Sequence, residues 1–124
     1  MNILVVDDEQ DIKSLFQQTF RREIREGLYN FSFKHSGEEA LTFLKENAHK
    51  AILILSDINM PGMTGIELLR RVRLDHPTPP PVIMMITAYG DKENFEQAQR
   101  YGANDFLNKP IDFTSLKEKL THLL

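Results

Sequence analysis

The 124 residues contain no cysteine, which excludes a disulfide framework and any thiolate metal or redox site. That absence suits a reducing cytoplasm, the expected location. Positive charge is not in excess either: 15 Lys and Arg stand against 18 Asp and Glu, for a net charge of -3. No broad basic field addresses nucleic acid or a membrane surface, so no direct nucleic-acid binding is expected, and a DNA role would need another domain. No stretch approaches the roughly 20 consecutive apolar residues of a membrane span. The amino terminus, MNILVVDDEQ, turns acidic after four apolar residues, with no basic leader and no signal-peptide core. The four histidines, His35, His49, His76 and His122, have no metal-ligand spacing and read as surface residues. What remains is the composition expected of a soluble globular chain with the length of one domain, residues 1–124.

Against that background one stretch stands out, Ala51 to Gly65, AILILSDINMPGMTG. Ala51 to Leu55 are all apolar and run into Ser56 and Asp57; Asn59 and the loop residues Pro61 and Gly62 follow, and Gly65 opens a helical pattern. A continuous apolar run of this length, bounded by turn residues, is a strand buried on both faces. It ends in a carboxylate.

Earlier in the chain, Ile3 to Val6 is a short strand that meets Asp7, Asp8 and Glu9. From Asp11 the spacing of Ile12, Leu15, Phe16, Phe20 and Ile24 predicts a helix with those residues inward and Gly27 as its stop. Tyr29, Phe31 and Phe33 alternate with polar residues, as in an edge strand with one wetter face. Ser36 and Gly37 lead into a helix that turns Ala40, Leu41, Phe43 and Leu44 inward.

After the central strand, a helix begins near Thr64 with Ile66, Leu68, Leu69 and Val72 inward and Arg70, Arg71 and Arg73 on its polar face. DHPTPPP reads as a stiff surface connector, and VIMMI, Val82 to Ile86, as a second doubly buried strand ending in Thr87 and Ala88. Asp91 to Tyr101 is a more polar helix with Phe95 and Ala98 inward and Gly102 as its stop. A brief strand, Asp105 to Asn108, reaches Lys109 and Pro110, and the last helix is capped by Asp112 or Thr114 and presents Leu116, Leu120, Leu123 and Leu124. Met60, Met63, Met84 and Met85 read as packing residues. Five strands alternating with five helices imply an α/β fold: a parallel sheet covered on both faces by right-handed crossovers.

In a parallel sheet every strand has its carboxyl end on one edge, so Asp7, Asp8, Asp57, Thr87 and Lys109 arrive at the same rim. Carboxylates about 4 Å apart repel by several kcal/mol at a protein surface and call for a neutralising partner. All-oxygen ligands without His or Cys favour a hard divalent cation such as Mg²⁺. Lys109 adds a second positive charge for a bound anion. A carboxylate beside a metal, a lysine and a hydroxyl is suited to accept a phosphoryl group, with Asp57 as the nucleophile.

VVDDE after the first strand, SDINMPGMTG after the third, TAYG after the fourth and NKP after the fifth occur in that order. With them the whole chain resembles the receiver domains of two-component response regulators. The resemblance implies a flavodoxin-like (βα)5 three-layer sandwich with strand order 2-1-3-4-5. It implies that Asp57 takes a phosphoryl group from the phosphohistidine of a histidine kinase or histidine phosphotransfer protein, in a Mg²⁺-dependent reaction. Asp8 would ligate Mg²⁺ directly, with Asp7 assisting, Asp57 contributing, and Asn59 supplying its backbone carbonyl. Thr87 would hydrogen-bond the phosphoryl group and Lys109 would pair with it, with Pro110 after a cis peptide bond. Phe106 falls at the switch position and would turn inward as Thr87 moves.

The surface of the fourth helix, fifth strand and fifth helix would then change for an output domain, a downstream protein or a second copy of the chain. Asn59 and Tyr89 fall at positions that influence attack by water on the phosphoryl group, and Tyr89 is expected to shield it. Two features depart from the family pattern. RREIREGLYN is longer than usual, so the first helix runs on or a longer loop follows. Phe106 lacks the hydroxyl of a tyrosine and would switch through packing alone.

Taken singly, these residues have plainer readings: Asp7 and Asp8 as helix caps, Asp57 as a loop acid, Thr87 as a β-branched strand residue, Lys109 as a solvated lysine. Their arrival at one rim weighs against that. A haloacid-dehalogenase-type phosphatase would need a second acid two residues after its nucleophile, and Asn59 cannot transfer protons. A flavodoxin-type flavin site needs a hydroxyl- and glycine-rich phosphate loop where this chain has Asp7, Asp8 and Glu9. A receiver-like module that no longer takes phosphate is disfavoured by the intact Asp57, Asp8, Thr87 and Lys109. The chain is therefore expected to be a signalling domain that assists only its own phosphorylation and dephosphorylation.

Overall fold

The apolar runs form the centre of a five-stranded parallel sheet ordered β2-β1-β3-β4-β5. The computed structural model describes residues 1–47, 53–77, 81–88 and 90–123. Its elements are β1 (Asn2–Val6), α1 (Ile12–Thr19), α2 (Arg21–Arg25), β2 (Asn30–Lys34), α3 (Gly37–Glu46), β3 (Leu53–Asp57), α4 (Gly65–Asp75), β4 (Val82–Thr87), α5 (Lys92–Arg100), β5 (Asp105–Asn108) and α6 (Phe113–Leu123). Ala51, Ile52, the prolines of 79–80, His49, Tyr89 and Leu124, which carry several of the sequence expectations, lie outside the described residues.

Strand residues alternate between two cores, as a period of two requires. Ile3, Val5, Leu53, Leu55, Met84 and Ile86 pack with α1 and α6 through Ile12, Phe16, Leu116 and Leu120. Leu4, Val6, Ile54, Ile83 and Met85 pack with α3, α4 and α5 through Ala40, Leu44, Leu68, Leu69, Val72 and Ala98. The sheet is thus sandwiched between helices on both faces, and β2 is an edge strand as its alternation predicts. Met60, Met84 and Met85 are buried in these cores, in agreement with a packing role.

Several details correct the sequence reading. The single first helix is two, because Phe20 leaves helical geometry (φ −104°, ψ 22°) and breaks the run into α1 and α2. The extra length of RREIREGLYN is thereby accommodated as a short second helix, and six helices rather than five are found among the described residues. Phe20 stays fully buried among Phe16, Tyr29, Phe31 and Phe113. Leu15 and Ile24, expected inside, are 47% and 37% exposed. Leu123 is exposed as well, and Phe95 packs sideways onto Phe106 instead of deep in the core. Asp112, not Thr114, caps α6: its Oδ1 accepts the N–H groups of Thr114 and Ser115 at 3.0 and 3.3 Å.

Arg73 does not lie on a solvated face. Its guanidinium donates to the carbonyls of Gly102 and Pro81 at 2.7 Å each, and to Asn104 Oδ1 at 2.7 Å. Asn104 Oδ1 in turn accepts the Ile83 N–H at 2.8 Å. This clamp ties the last turn of α4 to the segment after α5 and to the start of β4, and burial holds the guanidinium below the usual arginine pKa. Among the described residues no helix is long and apolar enough to cross a membrane.

Candidate functional site

Parallel register brings the strand ends to one edge: Val6 pairs with Ser56, Asp57 with Ile86, and Thr87 with Asn108. Asp7 and Asp8 therefore leave β1, and Lys109 leaves β5, beside the ends of β3 and β4. Asp57 closes β3, and the start of α4 packs directly against that strand end. The Gly65 N–H donates to Ile58 O at 2.8 Å. A Cβ at Gly65 would overlap the Asp57 carbonyl oxygen and lie 2.7 Å from Ile58 Cα, so only glycine fits. Thr64 caps α4 by accepting the Glu67 N–H at 3.2 Å.

Asp7, Asp8 and Asp57 each place a carboxylate oxygen within 4.8 Å of the others. Asp7 and Asp57 are only 1% and 2% exposed, whereas Asp8 is the more accessible of the three. Asp7 Oδ1 accepts the Glu9 N–H at 2.9 Å, and Asp57 Oδ1 accepts the Asn59 N–H at 3.2 Å. Asp7 is not a helix cap: the residue at the start of α1 is Asp11, whose side chain caps nothing.

Lys109 Nζ donates to Asp57 Oδ2 at 2.8 Å and lies 4.0 Å from Asp7 Oδ2 and 3.9 Å from Glu9 Oε1. The Lys109–Pro110 peptide bond is cis. Thr87 is buried at the end of β4; among the described residues its hydroxyl makes one long bond, 3.4 Å, to the Ala88 carbonyl, while its own carbonyl accepts the Lys109 N–H at 3.0 Å. Phe106 pairs with Met85, two rungs back from the Thr87–Asn108 pair. Its half-buried ring packs on Phe95, with centroids 4.2 Å apart.

The electrostatics match this crowding. Burial, opposed by the Glu9 N–H and reinforced by the Asp57 charge, pushes the Asp7 carboxyl above the ordinary carboxylate range. Burial pulls the Lys109 ammonium down, but its hydrogen bond to Asp57 and the charges of Asp57, Asp7 and Glu9 outweigh it and leave the pKa raised. One ammonium thus faces several acids. The oxygen-only donor set, with two of its three side chains buried, fits a hard divalent cation.

Two contacts at or near the site escaped the sequence reading. Glu9 shares Lys109 from its exposed position. His35, expected on the surface, is half-buried and donates from Nδ1 to the Asp7 carbonyl at 3.0 Å. Only the register of β1 against β2 would have revealed it. Tyr89, expected to shield the site, lies outside the described residues.

The family model for the response regulator receiver domain matches residues 3–121. Chemotaxis protein CheY-3 of Vibrio cholerae is 34% identical over 120 residues, covering 97% of this chain and 88% of that protein. Two-component response regulator ARR10 of Arabidopsis thaliana is 32% identical over 124 residues, all of this chain but 21% of that protein. The chain thus spans about a fifth of the length of some relatives. The crystallised chemotaxis protein CheY4 of Vibrio cholerae superposes with a TM-score of 0.82 at 28% identity, covering 99% of this chain and 98% of the other.

Proposed function

Because the chain belongs to the response regulator receiver domain family, we propose that it is a signalling switch in which Asp57 accepts a phosphoryl group from a histidine kinase or histidine phosphotransfer protein. The observation that carries this reading is the buried Asp57 carboxylate, held by Lys109 Nζ at 2.8 Å and within reach of Asp7 and Asp8. In the transfer an Asp57 carboxylate oxygen forms the new P–O bond as the bond from phosphorus to the donor's imidazole nitrogen breaks, and the imidazole leaves. Lys109 Nζ, 2.8 Å from Asp57 Oδ2, would offset the charge on the phosphoryl oxygens once the group is attached there. Thr87, whose hydroxyl has one long bond among the described residues, would donate to the phosphoryl group.

Asp7, Asp8, Asp57 and the Asn59 carbonyl would hold Mg²⁺. When bound, it supplies positive charge against the phosphoryl oxygens. The Asn59 side chain offers no acid for rapid hydrolysis, which suits a group that is stored. The domain is not a turnover enzyme on this reading; it assists only its own phosphorylation and dephosphorylation. Thr87, drawn toward the phosphoryl group, would open room for Phe106, and the Phe106–Phe95 contact would carry the change to the face of α5, β5 and α6. That face would address an output domain, a downstream protein or a second copy of the chain.

The test is incubation with Mg²⁺ and a small acyl phosphate, which should give an acid-stable, base-labile label on the wild type and none on Asp57→Ala. Full labelling of Asp57→Ala would overturn the assignment.

A further inference from the structure

We infer that His35 is a positioning residue for the acidic loop that follows β1. The inference deepens the proposed function and rests on it for its metal-binding half. In the β1–β2 ladder the Asp7 N–H donates to Lys34 O at 3.1 Å, the rung after the Val6–Lys34 pair. The parallel pattern would next give the Asp7 carbonyl to the Ser36 N–H. The chain turns away there, because Ser36 caps α3 by accepting the Glu39 N–H at 3.1 Å. The ring of His35 takes the place of the missing rung, with Nδ1 3.0 Å from Asp7 O.

A carbonyl only accepts, so Nδ1 carries the proton. The main chain of Asp7 is thereby held at both ends, by Lys34 O at its N–H and by His35 at its carbonyl. The carbonyl that His35 holds belongs to the peptide connecting the buried Asp7 to Asp8, the two acids that would hold the cation with Asp57. His35 touches none of the carboxylates in this arrangement. It acts through the main chain, as the outer hydrogen bonds around a metal site commonly do, and their loss typically costs 10- to 100-fold in affinity.

The experiment has two readings. In metal-free protein at neutral pH, ring nitrogen NMR should report His35 as protonated on Nδ1, and His35→Leu should move the Asp8 and Glu9 amide resonances while the rest of the spectrum holds. A ring carrying its only proton on Nε2 would overturn the inference whether or not the protein binds metal. With Mg²⁺, calorimetry should find affinity about 10-fold lower in His35→Leu and within about 3-fold of wild type in His35→Asn, whose amide can donate from nearly the same place. Equal affinity in wild type and His35→Leu would overturn the positioning role. Wild type that binds no Mg²⁺ would overturn that role and the proposed metal chemistry, leaving only the hydrogen bond that the ring spectrum reports.

Discussion

Lys109 Nζ and Asp57 Oδ2 stand 2.8 Å apart although 52 residues separate them in the chain, and the strand between their own two, β4, contributes Thr87 to the same rim. Replacing Lys109 with Ala leaves a buried carboxylate without its cation. The expected cost is about 1–2 kcal/mol, below the figure for a fully buried pair because the lysine side chain is 34% exposed. Lys109→Arg should recover most of the stability but little phosphorylation, since the planar fork presents its charge differently. Chemical denaturation and labelling with an acyl phosphate separate the two effects. Equal labelling of wild type and Lys109→Ala would remove Lys109 from the reaction.

Asp7→Asn should stabilise the metal-free protein at neutral pH. Its carboxyl titrates above the ordinary range when folded, so the folded state holds that proton more tightly than the unfolded chain. Ionised Asp7 therefore costs stability once the pH is above the folded pKa, and the cost disappears as the pH falls below the unfolded value. The gain from Asp7→Asn, which keeps an oxygen for the Glu9 N–H, should shrink in the same direction. Thermal melts across that range in the presence of a chelator measure it. A mutant less stable than wild type at neutral pH would mean that Lys109 fully compensates the buried charge.

Mg²⁺ should raise the melting temperature, because a ligand that binds only the folded state stabilises it by about 2.7 kcal/mol at 100 times its dissociation constant. Asp8→Asn should abolish most of that increment while leaving the metal-free melt nearly unchanged, as Asp8 is the more accessible of the three acids. Identical Mg²⁺ increments in wild type and Asp8→Asn would remove Asp8 from the ligand set.

Gly65→Ala should be costly. The added carbon would overlap main chain at Asp57 and Ile58, which has no side-chain freedom with which to yield, so a loss of about 3 kcal/mol, the upper range for overpacking, is expected. A melt within experimental error of wild type would show that α4 can slide away from the strand end without penalty.

Arg73→Met keeps the aliphatic stem but leaves the Gly102 and Pro81 carbonyls without this donor; the expected loss is about 1–2 kcal/mol, with faster amide exchange at residues 102–104. Unchanged exchange there would mean that the clamp holds nothing in place.

The residues differ in how far the sequence alone exposed them. Asp57 was legible because the apolar run of β3 ends in it, and the acids after β1 and Lys109 after β5 followed from parallel strand ends sharing one edge. The strand order came with the family resemblance and not from any residue pattern. Phe20 misled because its spacing fits a continuing helix, while the ring's packing against Phe16, Tyr29, Phe31 and Phe113 goes with a break at that residue. Ile24 lost its inward direction with that break. The sequence alone places His35 and Arg73 in solvent, because each bonds to main chain 28 or 29 residues away and such contacts leave no periodic trace.

The central claim is that phosphate enters on Asp57 and nowhere else. Borohydride reduction of protein treated with Mg²⁺ and an acyl phosphate, followed by peptide mass spectrometry, reads this directly, because an acyl phosphate is reduced to the alcohol and marks its own position. The account predicts homoserine at position 57 in wild type, and none when acyl phosphate is omitted. Homoserine at another aspartate, or none anywhere in protein that carries phosphate, would contradict it.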